Sequence, residues 1–327
     1  MKMKMTYNIL SFLLVGMFVI ASCHREELPG TDLPAEGGEP IEFSSVYASV
    51  ETKAEPDATS DLPENFKVWA SRTVNSNTNY NVFGENGTTV TNTGSAGTPK
   101  WTYSPVRYWQ SGEYNFVAVT PADFPTSGEL TSNGLELSFG TSGWDLSANQ
   151  TDLLLATSNV SNQIVSLSFS HLLTKISFSA KNATSTPIEI TSVKISGHHK
   201  EAESLVLSEE AAVWEFKDDG NASQDITSSA SDSYELSSTA TKVTSDVLVF
   251  SEDCSLTVEV TIRHAAEAAG YPKSATISTT GWLPGMQYDY VINVTPDGIS
   301  FSEPRVEGWD DVDDDGNGYT ADDGIDF

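Results

Sequence analysis

The sequence is poor in cysteine and in positive charge, and each shortage removes a class of explanation. Only Cys23 and Cys254 occur in 327 residues, so the chain has no disulfide framework of the kind that staples small secreted domains. Its stability must come from burial. Lysine and arginine together number 17 against 46 acidic residues, a formal net charge of −29. Such a surface repels phosphate backbones, which excludes nucleic acid as a partner. It also keeps a crowded external protein soluble and attracts divalent cations. Histidine is scarce too, at five. No pair has the i, i+4 helical spacing of a zinc protease, and no G-x-S-x-G elbow, phosphate loop or cysteine–histidine signature occurs. His198 and His199 lie near Glu201 and Glu203, but adjacent residues on a strand face opposite ways and cannot share a metal. Helical periodicity is equally sparse, with one short helix expected around His264 to Ala269.

What the N-terminus does have is an export signal. Lys2 and Lys4 precede an apolar run from Ile9 to Ile20, too short for a membrane anchor but suited to a secretory signal. It ends in Ile20-Ala21-Ser22-Cys23, which resembles a bacterial lipobox. The expectation is cleavage before Cys23 and attachment of lipid to its thiol, with residues 1–22 as the signal peptide. Arg25-Glu26-Glu27 is similar to short charged signals that send lipoproteins to the cell exterior. Residues 23–40, rich in proline, glycine and glutamate, read as a flexible tether.

From Ile41 the texture is alternating. Phe66–Ala70, Tyr114–Val119, Ile164–Phe169, Lys175–Ala180, Ile190–Ile195, Val247–Phe250, Leu256–Ile262, Ala275–Thr279 and Tyr288–Val294 carry the period of two, rich in branched and aromatic residues, that marks half-buried strands. Cys254, heading one of these runs, reads as a small core residue. Clusters of glycine, asparagine, serine and aspartate punctuate turns between them, and Asn75 to Lys100 reads as long hairpin loops. Many strands without intervening helices predict an all-β fold of sandwiches. The polar stretch Thr157 to Gln163 predicts a division into domains 41–163 and 164–309, followed by an acidic tail, 310–327.

Several blocks then carry a resemblance. Trp101, Tyr103, Pro105, Tyr108 and Trp109 precede Tyr114, Phe116 and Ala118. Asp152 to Ala156 follows, then Leu167, Phe169, His171, Leu172, Leu173, Lys175 and Ile176. Gly281, Trp282, Pro284, Gly285, Tyr288 and Tyr290 come next, and Ile299, Phe301 and Trp309 close the series. In this order they are similar to the fimbrillin (Mfa-like) family. The resemblance implies two transthyretin-like β-sandwich domains in tandem, a lipoprotein on the outer membrane, and a fimbrial system in gut or oral bacteria. It implies as partners other fimbrial subunits, joined by strand addition, and the outer membrane, reached through the lipid. In that family a trypsin-like protease removes the first strand after an arginine, and a terminal strand of the neighbouring subunit fills the groove.

Two departures qualify this. Ile41 to Val50 stands in the place of the removable strand, with Ile41, Phe43 and Tyr47 on one face. Thr52-Lys53-Ala54 stands where the family has threonine–arginine–alanine, and no arginine lies between Arg25 and Arg72. Maturation would need a cut at Lys53. The tail is a poor donor strand, because charge and glycine replace alternating apolar residues. Both departures favour an anchoring or accessory subunit over a polymerising stalk. The tail also spaces Asp311, Asp313, Asp315 and Asp322 like ligands of a calcium loop, though aspartate stands where the loop's bidentate glutamate belongs; the alternative is a solvated acidic tail. A second function class is a free-standing surface lipoprotein binding a host ligand or glycan, for which Trp101, Tyr103, Tyr108 and Trp109 are candidate stacking residues. Their alternate spacing fits cores and strand edges better.

Overall fold

The computed structural model describes residues 38–47, 63–95, 98–124, 127–208, 212–226, 234–264, 267, 269–279, 281–296 and 298–308. Among them every regular element is a strand. In chain order these are β1 (Phe43–Tyr47), β2 (Asn65–Val74), β3 (Asn77–Asn79), β4 (Thr88–Asn92), β5 (Trp101–Thr102) and β6 (Glu113–Thr120). Next come β7 (Ser127–Thr131), β8 (Gly134–Ser138), β9 (Trp144–Asp145), β10 (Leu154–Asn159), β11 (Val165–His171) and β12 (Leu173–Asn182). They continue with β13 (Ile188–His198), β14 (Glu201–Leu207), β15 (Ala212–Phe216), β16 (Ala222–Asp225), β17 (Tyr234–Glu235) and β18 (Thr241–Lys242). The last are β19 (Val247–Phe250), β20 (Cys254–His264), β21 (Tyr271–Thr279), β22 (Met286–Thr295), β23 (Gly298–Phe301) and β24 (Arg305–Gly308).

The described chain forms two compact units, one of residues up to 47, 63–169 and 199–220, the other of 170–198 and 221–308. In the first, an eight-stranded sheet runs β1-β11-β10-β6-β2-β4-β5, with β3 on β2. Its inner face collects Phe43, Phe66, Val68, Ala70, Phe116, Ala118, Leu154, Val165, Leu167 and Phe169. β1 and β2 stand four places apart in this sheet, yet Phe43 and Phe66 meet edge to face, 5.6 Å between centroids. The sheet must therefore curl around its own core. β2 buries its other face as well. Trp69 points the opposite way and donates its indole N–H to the carbonyl of Gly128 at 3.3 Å. A Cβ at Gly87, whose φ is +69°, would stand 2.6 Å from this ring, so glycine is needed there twice over.

A second sheet in this unit runs β15-β14-β8-β7, with β9 on β14. The sequence placed residues 199–220 in the second domain; the pairing places them here. Leu205 stands opposite Leu137 of β8 and Trp214 of β15. Trp214 packs within 6.0 Å of Trp144, which also meets Phe124 at 4.7 Å. No local pattern within 199–220 specifies that distant partner.

The other unit pairs two sheets around one core: β18-β12-β22-β23, with β19 and β24 alongside, and β16-β13-β20-β21, with β17 alongside. β13 shows how its sequence fits. Ile188 and Ile190 point inward, then Val193 and Ile195 do so on the opposite parity. A bulge between Ile190 and Ser192 absorbs the extra residue and keeps all four in the core. Cys254 heads β20 half-buried against the same core. Of the helix expected at His264 to Ala269 the described residues show none: His264 ends β20 and Glu267, which donates its N–H to His264 O at 2.8 Å, is not helical, while 265, 266 and 268 lie outside the described residues. The long hairpin loops expected from Asn75 to Lys100 are partly ordered as β3 and β4.

Candidate functional site

The first strand is the least ordinary piece of the fold, because it is held from two sides by different parts of its unit. Upstream, the Ile41 N–H donates to Arg107 O and the Trp109 N–H to Glu39 O, both at 2.9 Å. Downstream, β1 runs parallel to β11, with Phe43 opposite Val165 and Ser44 opposite Ser166. The Val165 N–H donates to Glu42 O at 2.8 Å. A parallel partner so far away in sequence is not a hairpin neighbour.

Two sockets receive its side chains. Ile41 is 1 % exposed and Phe43 8 %, while Glu42 between them faces solvent. Phe43 sits in a cage of Phe66, Phe83, Tyr103 and Phe116, with centroids 5.6, 5.8, 5.6 and 6.2 Å away. Such tilted and edge-on contacts are the favoured aromatic geometry, and losing the ring of a buried phenylalanine costs about 3–5 kcal/mol. Tyr103 also clamps the backbone. Its hydroxyl donates to Ile41 O at 2.8 Å and accepts from the Arg107 N–H at 3.2 Å. Burial pushes this phenol above its ordinary value, partly offset by the hydrogen bond to Arg107.

The aromatic block is thus mostly wall. Trp101 packs on Phe66 at 5.0 Å, and Trp109 meets Tyr114 edge-on at 4.9 Å. Tyr108, 38 % exposed, is the one member facing outward. The later block is structural in the same sense. The Trp282 indole donates to the Tyr290 hydroxyl at 3.0 Å, and the Tyr288 hydroxyl accepts the Leu283 N–H and donates to Gly281 O. Burial pushes the Tyr290 phenol up to about 12, against the pull of the Trp282 hydrogen bond. His171 ends β11 half-buried, its Cβ beside Gly285, whose N–H donates to Leu173 O.

The remaining candidates divide plainly. His198 is buried at the end of β13 in one unit, whereas His199 belongs to the other and stacks on Phe216 at 4.0 Å. Among the described residues no three histidine, cysteine, aspartate or glutamate side chains are grouped to hold a metal. Cys23, Lys53 and the tail aspartates Asp311, Asp313, Asp315 and Asp322 lie outside the described residues. The sequence flagged Ile41 and Phe43 by parity. It did not single out Phe66, Phe83 and Phe116 as a cage, since alternation marks them only as inward-facing.

A curled sheet joined at its edge by a parallel first strand, in a chain whose described elements are all strands, defines an all-β protein. The comparisons agree on the kind of protein. A fimbrillin-like family model matches residues 52–309, and the chain belongs to that family. It is similar in fold to a fimbrial protein from Bacteroides vulgatus, at 18 % identity and TM-score 0.55, over 83 % of this chain and 99 % of that one. Candidate cell-adhesion proteins from Bacteroides uniformis and Bacteroides ovatus give TM-scores of 0.53 and 0.54 at 15 % and 17 % identity. They cover 85 % and 84 % of this chain and 100 % and 99 % of theirs. No protein of curated function matches the sequence. The chain is accordingly a fimbrial subunit of a cell-surface appendage, structural and not enzymatic.

Proposed function

We propose that this chain is a lipid-anchored fimbrial subunit of the outer membrane whose assembly is governed by whether β1 occupies its groove. The observation that supports this is the double seating of residues 39–43, between the 107–109 segment and β11. A strand seated by main-chain bonds, the Tyr103 hydroxyl and two sockets can be replaced by another strand making the same contacts, which is strand addition. With β1 in place the edge is already paired, and the subunit is closed to neighbours at that site. A cut at Lys53 would free it. Because lysine stands where the family has arginine, retention is the expected state, and it suits an anchoring or accessory subunit. Cys23 would carry the lipid.

A cross-link tests this. Ser44 and Ser166 are register partners on the solvent side of the β1–β11 pair. The double variant Ser44→Cys/Ser166→Cys, oxidised and then cut after Lys53, is expected to stay monomeric on a sizing column. Reduction should restore assembly. Oligomers from the oxidised, cut variant would contradict the reading, because they would form without the groove.

A further inference from the structure

Large apolar side chains left in water are few here, and most of them gather at one place. Among the described residues four are exposed: Val106, Tyr108, Ile164 and Leu283. The first three flank the entry of the chain into its first sheet. Pro40 and Tyr108 form an antiparallel bridge, and two residues further on the same register sets Glu42 across from Val106. On the other side Phe43 pairs with Val165 in parallel, which brings Ile164 beside Glu42. Ile41, Phe43 and Val165 are buried, so the residues alternating with them point outward. One outward row is therefore Val106, Glu42 and Ile164, spanning roughly 10 Å across three strands. Pro40 and Tyr108 extend it along the strands.

Clustered apolar exposure of this kind marks a surface that something covers. Glu42 at its centre argues against a dry protein partner, in which an unpaired carboxylate would be stranded at high cost. A layer of lipid headgroups is wet and offers ammonium groups to Glu42 and to the exposed Glu39, and tyrosine suits that depth. The position fits as well. Gly38 lies fifteen residues from Cys23, a length that spans at most about 50 Å fully extended and roughly 20 Å as a coil. A face held so near a membrane needs little affinity of its own, because tethering supplies an effective concentration in the millimolar range.

We propose that the face formed by Pro40, Val106, Tyr108 and Ile164 rests on the zwitterionic lipid surface to which Cys23 is anchored. The first unit then lies against the membrane and does not swing at the end of its tether. This rests on the reading above that Cys23 carries lipid, and it adds which face of the subunit meets the bilayer.

The test uses the full, lipidated chain in vesicles of phosphatidylcholine and phosphatidylethanolamine, with Cys254→Ser to leave no other free thiol. Ile164→Cys or Leu283→Cys then carries an environment-sensitive dye, and spin-labelled lipids serve as quencher. The expected result is quenching at Ile164→Cys at least about twofold above that at Leu283→Cys. Adding Val106→Ser and Tyr108→Ser should abolish the difference. Equal quenching at both positions, or none at Ile164→Cys in chains that float with the vesicles, overturns the assignment while the anchor stands. Shielding at Ile164→Cys that persists in detergent and rises with protein concentration gives the face to a second copy and overturns it too. Chains that do not float with the vesicles overturn the anchor itself, and this contact with it.

Discussion

At the scale of single residues, the polar exception in the second unit is as informative as the apolar rule. Asp289 lies on β22, 6 % exposed, opposite Ser177 of β12 and Arg305 of β24. The Ser177 hydroxyl donates to its carboxylate at 2.9 Å and Ser179 at 3.2 Å. Burial nevertheless raises its pKa above the ordinary 3.8. The two serines and Lys242 pull it back, and Asp246 pushes it further up. A carboxyl raised in this way holds its proton more tightly when folded. Its stabilising contribution is complete below the unfolded pKa and is lost as pH rises through the folded one. Ionised Asp289 is therefore a burden at neutral pH. Asp289→Asn keeps an acceptor for both serines and should raise Tm at pH 7. The gain should shrink as pH falls toward the ordinary carboxylate range. Thermal melts of both proteins across that range check this, and parallel profiles would refute it.

Elements explain what sequence alone could and could not reveal. β11 and β20 were legible because each alternates cleanly, with one face in a core, so its period survives in the residues. The helix expected at His264 rested on the helix propensity of the alanines there, while the described residues on either side belong to β20 and β21. The hairpin of β14 and β15 was legible as strands in composition but not in partnership. Its partner β8 lies 66 to 72 residues earlier, from Ser204 opposite Ser138 at one end to Leu207 opposite Leu135 at the other, and no local signal encodes that choice. This makes a checkable claim. Leu205→Ala, at a fully buried site, should cost about 2–5 kcal/mol. Hydrogen exchange should show the protection lost in β7 and β8, with β20 and β21 unchanged. Loss confined to β13 and β20 would return the hairpin to the second unit.

The same distinction applies to the groove. Ile41 and Phe43 were readable as one apolar face, and the aromatic block as strand wall. The cage was not, because Phe66, Phe83 and Phe116 converge only when the sheet curls. For the whole molecule, the proposal joins this groove to the cell surface. Cys23→Ser should abolish labelling by a fatty acid and release the protein from outer-membrane fractions. Continued labelling would place the lipid elsewhere.

The central claim is that β1 closes the subunit and that its removal opens it. Native mass spectrometry of the chain before and after a cut at Lys53 tests this most directly. The account predicts a monomer while β1 is retained, and a ladder of oligomers once the cut fragment has dissociated. Oligomers of the uncut chain, or a cut chain that loses its first strand and stays monomeric, would contradict it.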